Sequence, residues 1–360
     1  MTIETAVLAG VAFPRDEISI ESSMEELALL AKTAGSAVAA SLTQKREKPD
    51  ITTFIGKGKV EELKNLVKEK KADLVIIDNE LHASQQRNLE EALGVKVVDR
   101  PELIIDIFAR HAHTHEGRLQ VELAQSQFIM TRLSGKGILM SRLGGGIGTR
   151  GPGETKLEED RRKIRKRVAE LKRELETLKK TRHTRNLSRK SSGITAVSLV
   201  GYTNAGKSTL MNALTKSQVL VEDKLFATLD TTTRKLFLSG NLHALLSDTV
   251  GFIQKLPHQL IEAFKATLEE VMDADILLHV VDSSSTGIEN QINAVYGVLE
   301  EIGAINKPMI TVFNKTDKPD TRVEKLLLKK YSPSVAVSAL KKEGLGELKE
   351  AICSCLKQPL

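Results

Sequence analysis

A glycine-rich stretch, Gly201–Thr209, constrains the fold of this chain more than any other feature. It reads GYTNAGKST and fits the phosphate-binding pattern G-x-x-x-x-G-K-[ST], between an apolar strand-like run, TAVSLV, and a helix-forming segment. In that setting, backbone N–H groups and a helix N-terminus surround phosphate oxygens. We expect Lys207 to reach the β- and γ-phosphates and the Ser208 hydroxyl to bind Mg²⁺. The predicted phosphate-binding residues are Gly201, Tyr202, Thr203, Asn204, Ala205, Gly206, Lys207, Ser208 and Thr209.

Three shorter motifs follow, each at the end of a predicted strand. In DTVGF, Asp248 is placed to hold Mg²⁺ directly or through water, and the Gly251 N–H to meet a γ-phosphate. In NKTD, the Asp317 carboxylate can accept two hydrogen bonds from guanine N1–H and N2–H₂, for which adenine has no matching pair of donors. The motif SAL can offer a backbone N–H to guanine O6. The predicted base-binding residues are Asn314, Lys315, Asp317, Ser338, Ala339 and Leu340.

The first 115 residues alternate short apolar strands with helical stretches. Strands are predicted near 6–12, 37–42, 73–78 and 95–99, with helices between them and a further helix opened by Pro101. Such alternation favours a small parallel sheet flanked by helices.

The next segment, 116–190, predicts two long helices joined by a glycine-rich loop at 142–155. Thr155 and Glu158 form a capping box at the start of the second helix. Apolar residues then recur at heptad spacing, which predicts packing against the first helix as an antiparallel hairpin. These seam residues are Leu157, Ile164, Val168, Leu171, Leu175 and Leu178. Thr184 to Gly193 has the composition of a linker.

Basic charge is concentrated on the second helix of this hairpin. Residues 154–190 contain 15 Lys and Arg against 7 Asp and Glu, whereas the whole chain has a net charge of only +6. The run is either a solvated face or an RNA-binding surface, and its one-sided sign favours RNA. The candidate RNA-binding residues are Arg142 and Arg150 in the loop, with Arg161, Arg162, Lys163, Arg165, Lys166 and Arg167 on the helix.

The order GYTNAGKST, FATLDTTTR, DTVGF, NKTD and SAL resembles the translation-factor-related GTPases. With FIGKGKVEEL, EGRLQVELAQ and SRLGGGIGTRGPGETKLEEDRR, the whole chain resembles the HflX family of ribosome-associated GTPases. The resemblance implies an α/β fold class: a P-loop GTPase domain with a mostly parallel sheet and helices on both faces, preceded by a small α/β subdomain and a long antiparallel helical hairpin. The expected boundaries are 1–115, 116–190 and 191–360.

The same resemblance implies GTP hydrolysis, Mg²⁺ as cofactor, and binding to the large ribosomal subunit and its rRNA, to split or rescue stalled ribosomes. Phe252 stands where Ras-like enzymes have a water-orienting glutamine, so we expect a low intrinsic rate that the ribosome stimulates. Asn204 lies where potassium-activated GTPases place a K⁺ ligand, although a structural role in the loop is an equal alternative. Among the threonines of FATLDTTTR, Thr228 matches the Mg²⁺ ligand of switch I.

Other sequence features limit the possible functions and location of the protein. The chain has no run of the roughly 20 apolar residues that a membrane span needs and no signal-like N-terminus, which favours a cytoplasmic protein. The expected state is a monomer. Two alternatives remain: an RNA- or ribosome-binding module in which nucleotide locks the conformation, and an additional ATP-dependent RNA-remodelling activity in the N-terminal part.

Overall fold

The computed structural model describes residues 3–16, 18–133, 152–191, 193–215, 225–226, 231–238, 242–255, 268–319, 321 and 325–357. These residues form two compact units. The first groups the chain up to Arg110 with Arg118–Glu174, and the second groups His111–Gly117 with the chain from Leu175 onward.

The first unit contains a four-stranded sheet in the order β2-β1-β3-β4, in which all neighbouring strands are parallel. Apolar side chains of the strands and of the helices between them form its buried core. This confirms the small α/β subdomain predicted from the alternating pattern. Its elements are β1 (Glu4–Ala12), α1 (Ile20–Thr33), β2 (Ser36–Lys45), α2 (Lys57–Lys70), β3 (Leu74–Ile77), α3 (Ala83–Leu93), β4 (Lys96–Asp99) and α4 (Arg100–His111).

Two long helices, α5 (His115–Leu133) and α6 (Pro152–Ser191), form the predicted antiparallel hairpin. Within the first unit, the end of α5 contacts the early part of α6, because Arg161 donates a hydrogen bond to the Leu133 carbonyl. Among the seam residues whose side chains are described, Leu171 is fully buried and the other four are half-buried, as the heptad spacing predicts.

Helix α6 is longer at both ends than the sequence predicts. It begins at Pro152 and not at Thr155, because proline is well tolerated in the first turn of a helix. It also continues through the expected linker to Ser191. Arg189 donates a hydrogen bond to the Asp273 carbonyl at 3.4 Å, and this tertiary contact favours helix where composition favours a loop.

The part of α6 in the second unit is held by ion pairs. Lys179 Nζ lies 2.9 Å from a Glu269 carboxylate oxygen, and Arg182 lies 3.6 Å from the other oxygen of the same carboxylate. Arg182 also pairs with Glu116 at the start of α5. The Glu269 side chain is only 9% exposed, so these cations offset the cost of burying its charge.

The second unit is built on a six-stranded sheet in the order β10-β9-β8-β5-β7-β6, in which only β6 is antiparallel to its neighbour. Buried apolar clusters lie between this sheet and its helices. This is the predicted P-loop architecture. The remaining elements are β5 (Thr195–Gly201), α7 (Lys207–Thr215), β6 (Thr232–Phe237), β7 (His243–Asp248), α8 (Glu269–Met272), β8 (Ile276–Asp282), α9 (Ile288–Glu301), β9 (Met309–Asn314), α10 (Lys325–Lys330), β10 (Ser334–Ala336) and α11 (Leu345–Lys357).

Candidate functional site

The loop between β5 and α7 is shaped by two glycines whose neighbours leave no room for a side chain. A Cβ atom on Gly201 would lie 2.3 Å from the Val280 carbonyl oxygen, and a Cβ atom on Gly206 would lie 2.3 Å from Nδ2 of Asn314. Gly206 also has a φ of 91°, in the left-handed region that favours glycine. These contacts hold the loop against the carboxyl ends of β8 and β9, so the P-loop and the NKTD motif meet at one edge of the sheet.

Lys207, at the start of α7, is buried beneath this loop. Its Nζ donates hydrogen bonds to the carbonyl oxygens of Gly201, at 3.1 Å, and Tyr202, at 2.8 Å. Burial lowers the pKa of Lys207 to about 8, and the Asp248 carboxylate opposes that shift. A buried ammonium group held by neutral carbonyl oxygens is suited to receive the negative charge of phosphates.

The two predicted Mg²⁺ ligands from different elements are in contact. Ser208 Oγ donates a hydrogen bond to Oδ2 of Asp248 at 2.6 Å, and the Asp248 side chain is fully buried at the end of β7. A hydroxyl and a carboxylate at this separation provide the hard oxygen ligands that Mg²⁺ prefers. The arrangement therefore fits the ion that the sequence predicts.

The segment after Asp248 is paired with the P-loop through backbone atoms. The Thr203 N–H donates to the Phe252 carbonyl at 2.7 Å, and the Phe252 N–H donates to the Gly201 carbonyl at 3.1 Å. A Cβ atom on Gly251 would lie 2.8 Å from both Lys207 Nζ and Thr203 Cα, so glycine is required at this position.

Phe252 does not face the phosphate side of this segment. Its ring is 2% exposed and belongs to the apolar cluster that also contains Val200, Leu268 and Val271. The residue that replaces the water-orienting glutamine is therefore a core residue, and its burial agrees with its inability to bind water.

At the opposite end of the site, Asn314 joins two loops. Its Nδ2 donates to the Ala205 carbonyl at 2.9 Å, and its Oδ1 accepts the Ala339 N–H at 3.0 Å. Ser338 Oγ donates to Oδ1 of Asp317 at 2.6 Å, which holds the pKa of Asp317 below its ordinary value. The Asp317 carboxylate, which is predicted to bind guanine, is therefore ionised, and the Ser338 hydroxyl orients it.

Asp282 is a site residue that the sequence analysis missed. Lys315 Nζ lies 2.7 Å from Oδ2 of Asp282 and donates at 2.7 Å to the Asn204 carbonyl. Ser284 donates to Oδ1 of Asp282 through both its N–H and its hydroxyl. Although burial raises it, hydrogen bonds from Lys315 and Ser284 lower the pKa of Asp282 overall. The signal for this residue is a carboxylate that ends a buried strand, ILLHVVD, beside the strand that ends in NKTD.

The structure thus brings the P-loop, DTVGF, NKTD and SAL motifs to one edge of the six-stranded sheet. Leu340 is 74% exposed there, so its side chain is not held by packing. Thr228, the predicted switch I ligand, lies outside the described residues, as do Arg142 and Arg150.

The candidate RNA-binding residues on α6 separate into two groups. Arg161 and Arg167 are half-buried in contacts with α5, since Arg167 makes two hydrogen bonds with the Glu122 carboxylate at 2.6 and 2.8 Å. These bonds also lower the pKa of Glu122. The four exposed members are Arg162, Lys163, Arg165 and Lys166.

Comparison with known proteins agrees with this geometry. Residues 196–315 match the family model described as 50S ribosome-binding GTPase, residues 21–109 match GTP-binding GTPase N-terminal, and residues 111–189 match GTP-binding GTPase Middle Region. The GTPase HflX of Caldanaerobacter subterraneus subsp. tengcongensis is 52% identical over 97% of this chain and 80% of its own length. This chain belongs to the HflX family.

Further relatives show the same relationship. The GTPase HflX of Escherichia coli strain K12 is 45% identical over 87% of this chain and 73% of its own length. A crystal structure described as the complex of SsGBP and GDP is 27% identical, covers 98% of both chains and has a TM-score of 0.55. Membership of the HflX family makes this chain a guanine-nucleotide-binding GTPase. Within its described part, no helix has both the length and the apolar character needed to cross a bilayer.

Proposed function

We propose that this HflX family GTPase binds the rRNA of the large ribosomal subunit and uses GTP binding and hydrolysis to control that association, so that stalled ribosomes are split or rescued. The observation that carries the proposal is that one chain combines the four-motif guanine-nucleotide site with an exposed basic face on α6. The match to a 50S ribosome-binding GTPase model supports the choice of partner. In the same proposal, the protein acts as a monomer in the cytoplasm.

In this proposal, the large ribosomal subunit supplies part of the catalytic machinery. Lys207 and the Gly251 N–H would stabilise charge on the phosphates, and Ser208, Asp248 and Thr228 would hold Mg²⁺, which neutralises charge on the β- and γ-phosphates. The position that follows DTVG cannot orient the attacking water, because Phe252 is buried in the apolar cluster. Slow turnover by the free protein follows from that burial.

Turnover measured with and without large ribosomal subunits tests the proposal. We expect large subunits to raise the steady-state rate of GTP hydrolysis by roughly 10³- to 10⁵-fold, the range for supplying a missing group in phosphoryl transfer. Small subunits at the same concentration serve as the control. Equal rates with and without large subunits would contradict the proposal, and nucleotide-dependent binding without stimulated turnover would instead indicate a binding module locked by nucleotide.

The basic face is tested separately by charge reversal. We choose Arg162→Glu with Arg165→Glu, since both residues are exposed whereas Arg161 and Arg167 support the hairpin. Affinity for large subunits should fall, and the slope of log affinity against log salt should decrease by about 0.7 to 0.9 for each phosphate that the variant no longer neutralises. A matched control reverses two exposed lysines of the first unit, Lys48→Glu with Lys68→Glu. Equal affinity of the two double variants would remove α6 from the proposed interface.

A further inference from the structure

Tyr202 occupies a position that the P-loop pattern leaves unspecified, yet its side chain is buried. The residue is 5% exposed, and its hydroxyl accepts the Gln254 N–H at 3.0 Å in a buried hydrogen bond. Its backbone carbonyl accepts a hydrogen bond from Lys207 Nζ at 2.8 Å. Tyr202 therefore contacts both the phosphate-binding lysine and the segment that follows DTVGF.

In the described part of the chain, the hydrogen bonds that attach that segment to the P-loop include three between residues 201–203 and 252–254. Two of them join backbone atoms, from the Thr203 N–H to the Phe252 carbonyl and from the Phe252 N–H to the Gly201 carbonyl, so they do not depend on side-chain identity. The third, between Gln254 and the Tyr202 hydroxyl, depends on one oxygen atom of one side chain. Replacing tyrosine by phenylalanine keeps the ring and leaves a buried N–H group without its acceptor.

The segment held in this way carries Gly251, whose surroundings leave little freedom. A Cβ atom there would lie 2.8 Å from Lys207 Nζ, so the Gly251 backbone lies directly beside the lysine that meets the β- and γ-phosphates. A small displacement of residues 251–254 changes where the Gly251 N–H points relative to a γ-phosphate. The same displacement should change GDP binding little, because GDP has no γ-phosphate and is held by the rest of the P-loop and by the guanine-binding motifs.

We propose that Tyr202 is a positioning residue for GTP hydrolysis: its hydroxyl fixes residues 251–254 so that the Gly251 N–H faces the γ-phosphate. Tyr202 acts through the Gln254 backbone and does not itself contact the reacting atoms. Loss of the Tyr202 hydroxyl should weaken the binding of GTP more than that of GDP. Loss of a residue that only supports the fold should weaken the binding of both nucleotides alike.

The test compares Tyr202→Phe with the wild-type protein in the absence of ribosomes, so that its outcome is independent of the proposed partner. Affinity for a non-hydrolysable GTP analogue and the single-turnover rate of GTP hydrolysis should each fall by about 5- to 150-fold, the range for leaving one buried donor unpaired. Affinity for GDP should stay within about twofold. Tyr331→Phe, the same chemical change at the end of α10, should behave as wild type in all three measurements.

Two results would overturn the proposal: unchanged GTP-analogue affinity and hydrolysis, or an equal reduction for GDP and the GTP analogue, which would show a purely structural role. Amide hydrogen exchange on the wild-type GDP complex gives a second reading if the variant does not fold. The Gln254 amide should be protected as strongly as the Phe252 amide, and rapid exchange at Gln254 would also overturn the proposal.

Discussion

At the guanine end of the site, side chains bind one another and the neighbouring loops, whereas at the γ-phosphate end two hydrogen bonds between backbone atoms attach Phe252 to the P-loop. Asn314 joins the P-loop to the SAL loop, and Ser338 orients Asp317. By contrast, Phe252 is attached to the P-loop through its own N–H and carbonyl. Base recognition therefore depends on side chains that hold one another, and the hydrolytic end depends on the conformation of one peptide segment.

The largest effect should come from the guanine end. Asp317→Asn replaces two charge-assisted acceptor contacts, so GTP and GDP affinity should fall by about 10²- to 10⁴-fold. Xanthine nucleotides should recover much of that affinity, because an amide can accept from N1–H and donate to the C2 carbonyl. Fluorescence titration with guanine and xanthine diphosphates measures both changes. Ser338→Ala, which removes only the orienting hydroxyl, should cost less, and a similar reduction in the two variants would argue against direct base reading by Asp317.

A smaller, more selective effect is expected at the γ-phosphate end. In Gly251→Ala, the new methyl group would lie 2.8 Å from Lys207 Nζ and Thr203 Cα and must displace the segment. Hydrolysis should fall by about 10²-fold, as when one donor to a developing charge is removed, with GDP affinity nearly unchanged. Single-turnover hydrolysis and GDP titration decide this, with Gly297→Ala as control, since a Cβ atom at Gly297 meets nothing within 4 Å. Parallel reductions in GDP binding and hydrolysis would show that the two ends are not separable.

The third prediction concerns K⁺ near the phosphates. Asn204 has a φ of 58°, a left-handed conformation that asparagine tolerates, and this alone could explain its presence. If its side chain also binds K⁺, hydrolysis in KCl should exceed that in NaCl at equal ionic strength by about 10-fold, which is the size of one charge-assisted contact. Asn204→Gly keeps the backbone conformation and should abolish that difference. Identical wild-type rates in the two salts would leave Asn204 with the structural role only.

The last prediction concerns the stability of the sheet beneath both ends and not turnover. Burial lowers the pKa of His279 on β8 from 6.5 to about 3, and Lys207 adds to the shift. The unfolded chain therefore binds a proton that the folded chain excludes, and the free energy of unfolding decreases as pH falls from about 6.5 toward 3. Above the unfolded-state pKa this group has no effect.

At about pH 5, the contribution of His279 should be about 2 kcal/mol. Chemical denaturation at about pH 7 and pH 5 should show a smaller decrease in stability for His279→Leu than for wild type, whereas His243→Gln, at an exposed position, should follow wild type. If all three proteins are destabilised equally between these pH values, His279 is not the group responsible.

Much of this site could be predicted from the sequence because its residues sit in motifs at strand ends, and parallel strands end at one edge of a sheet. Asp282 and the Tyr202 hydroxyl were missed for a common reason: their partners, Lys315 and Gln254, are set by strand order and loop conformation. Heptad spacing identified the packed seam of α6, but it could not show which arginines of that helix contact α5 and which remain exposed. Composition similarly misassigned the segment 184–191, where tertiary contacts maintain the helix.

The ion pairs near the end of α6 limit which fragments of this chain retain the contacts of the nucleotide-binding unit. A fragment that begins after Ser191 would contain the P-loop, DTVGF, NKTD and SAL motifs, but it would lack Lys179 and Arg182 and leave the Glu269 carboxylate buried without these cations. Retaining the last turns of α6 restores those cations, yet Arg182 then lacks Glu116, which lies 66 residues earlier in the chain. The nucleotide-binding unit is therefore discontinuous in sequence and cannot be excised intact as a single contiguous segment that excludes α5.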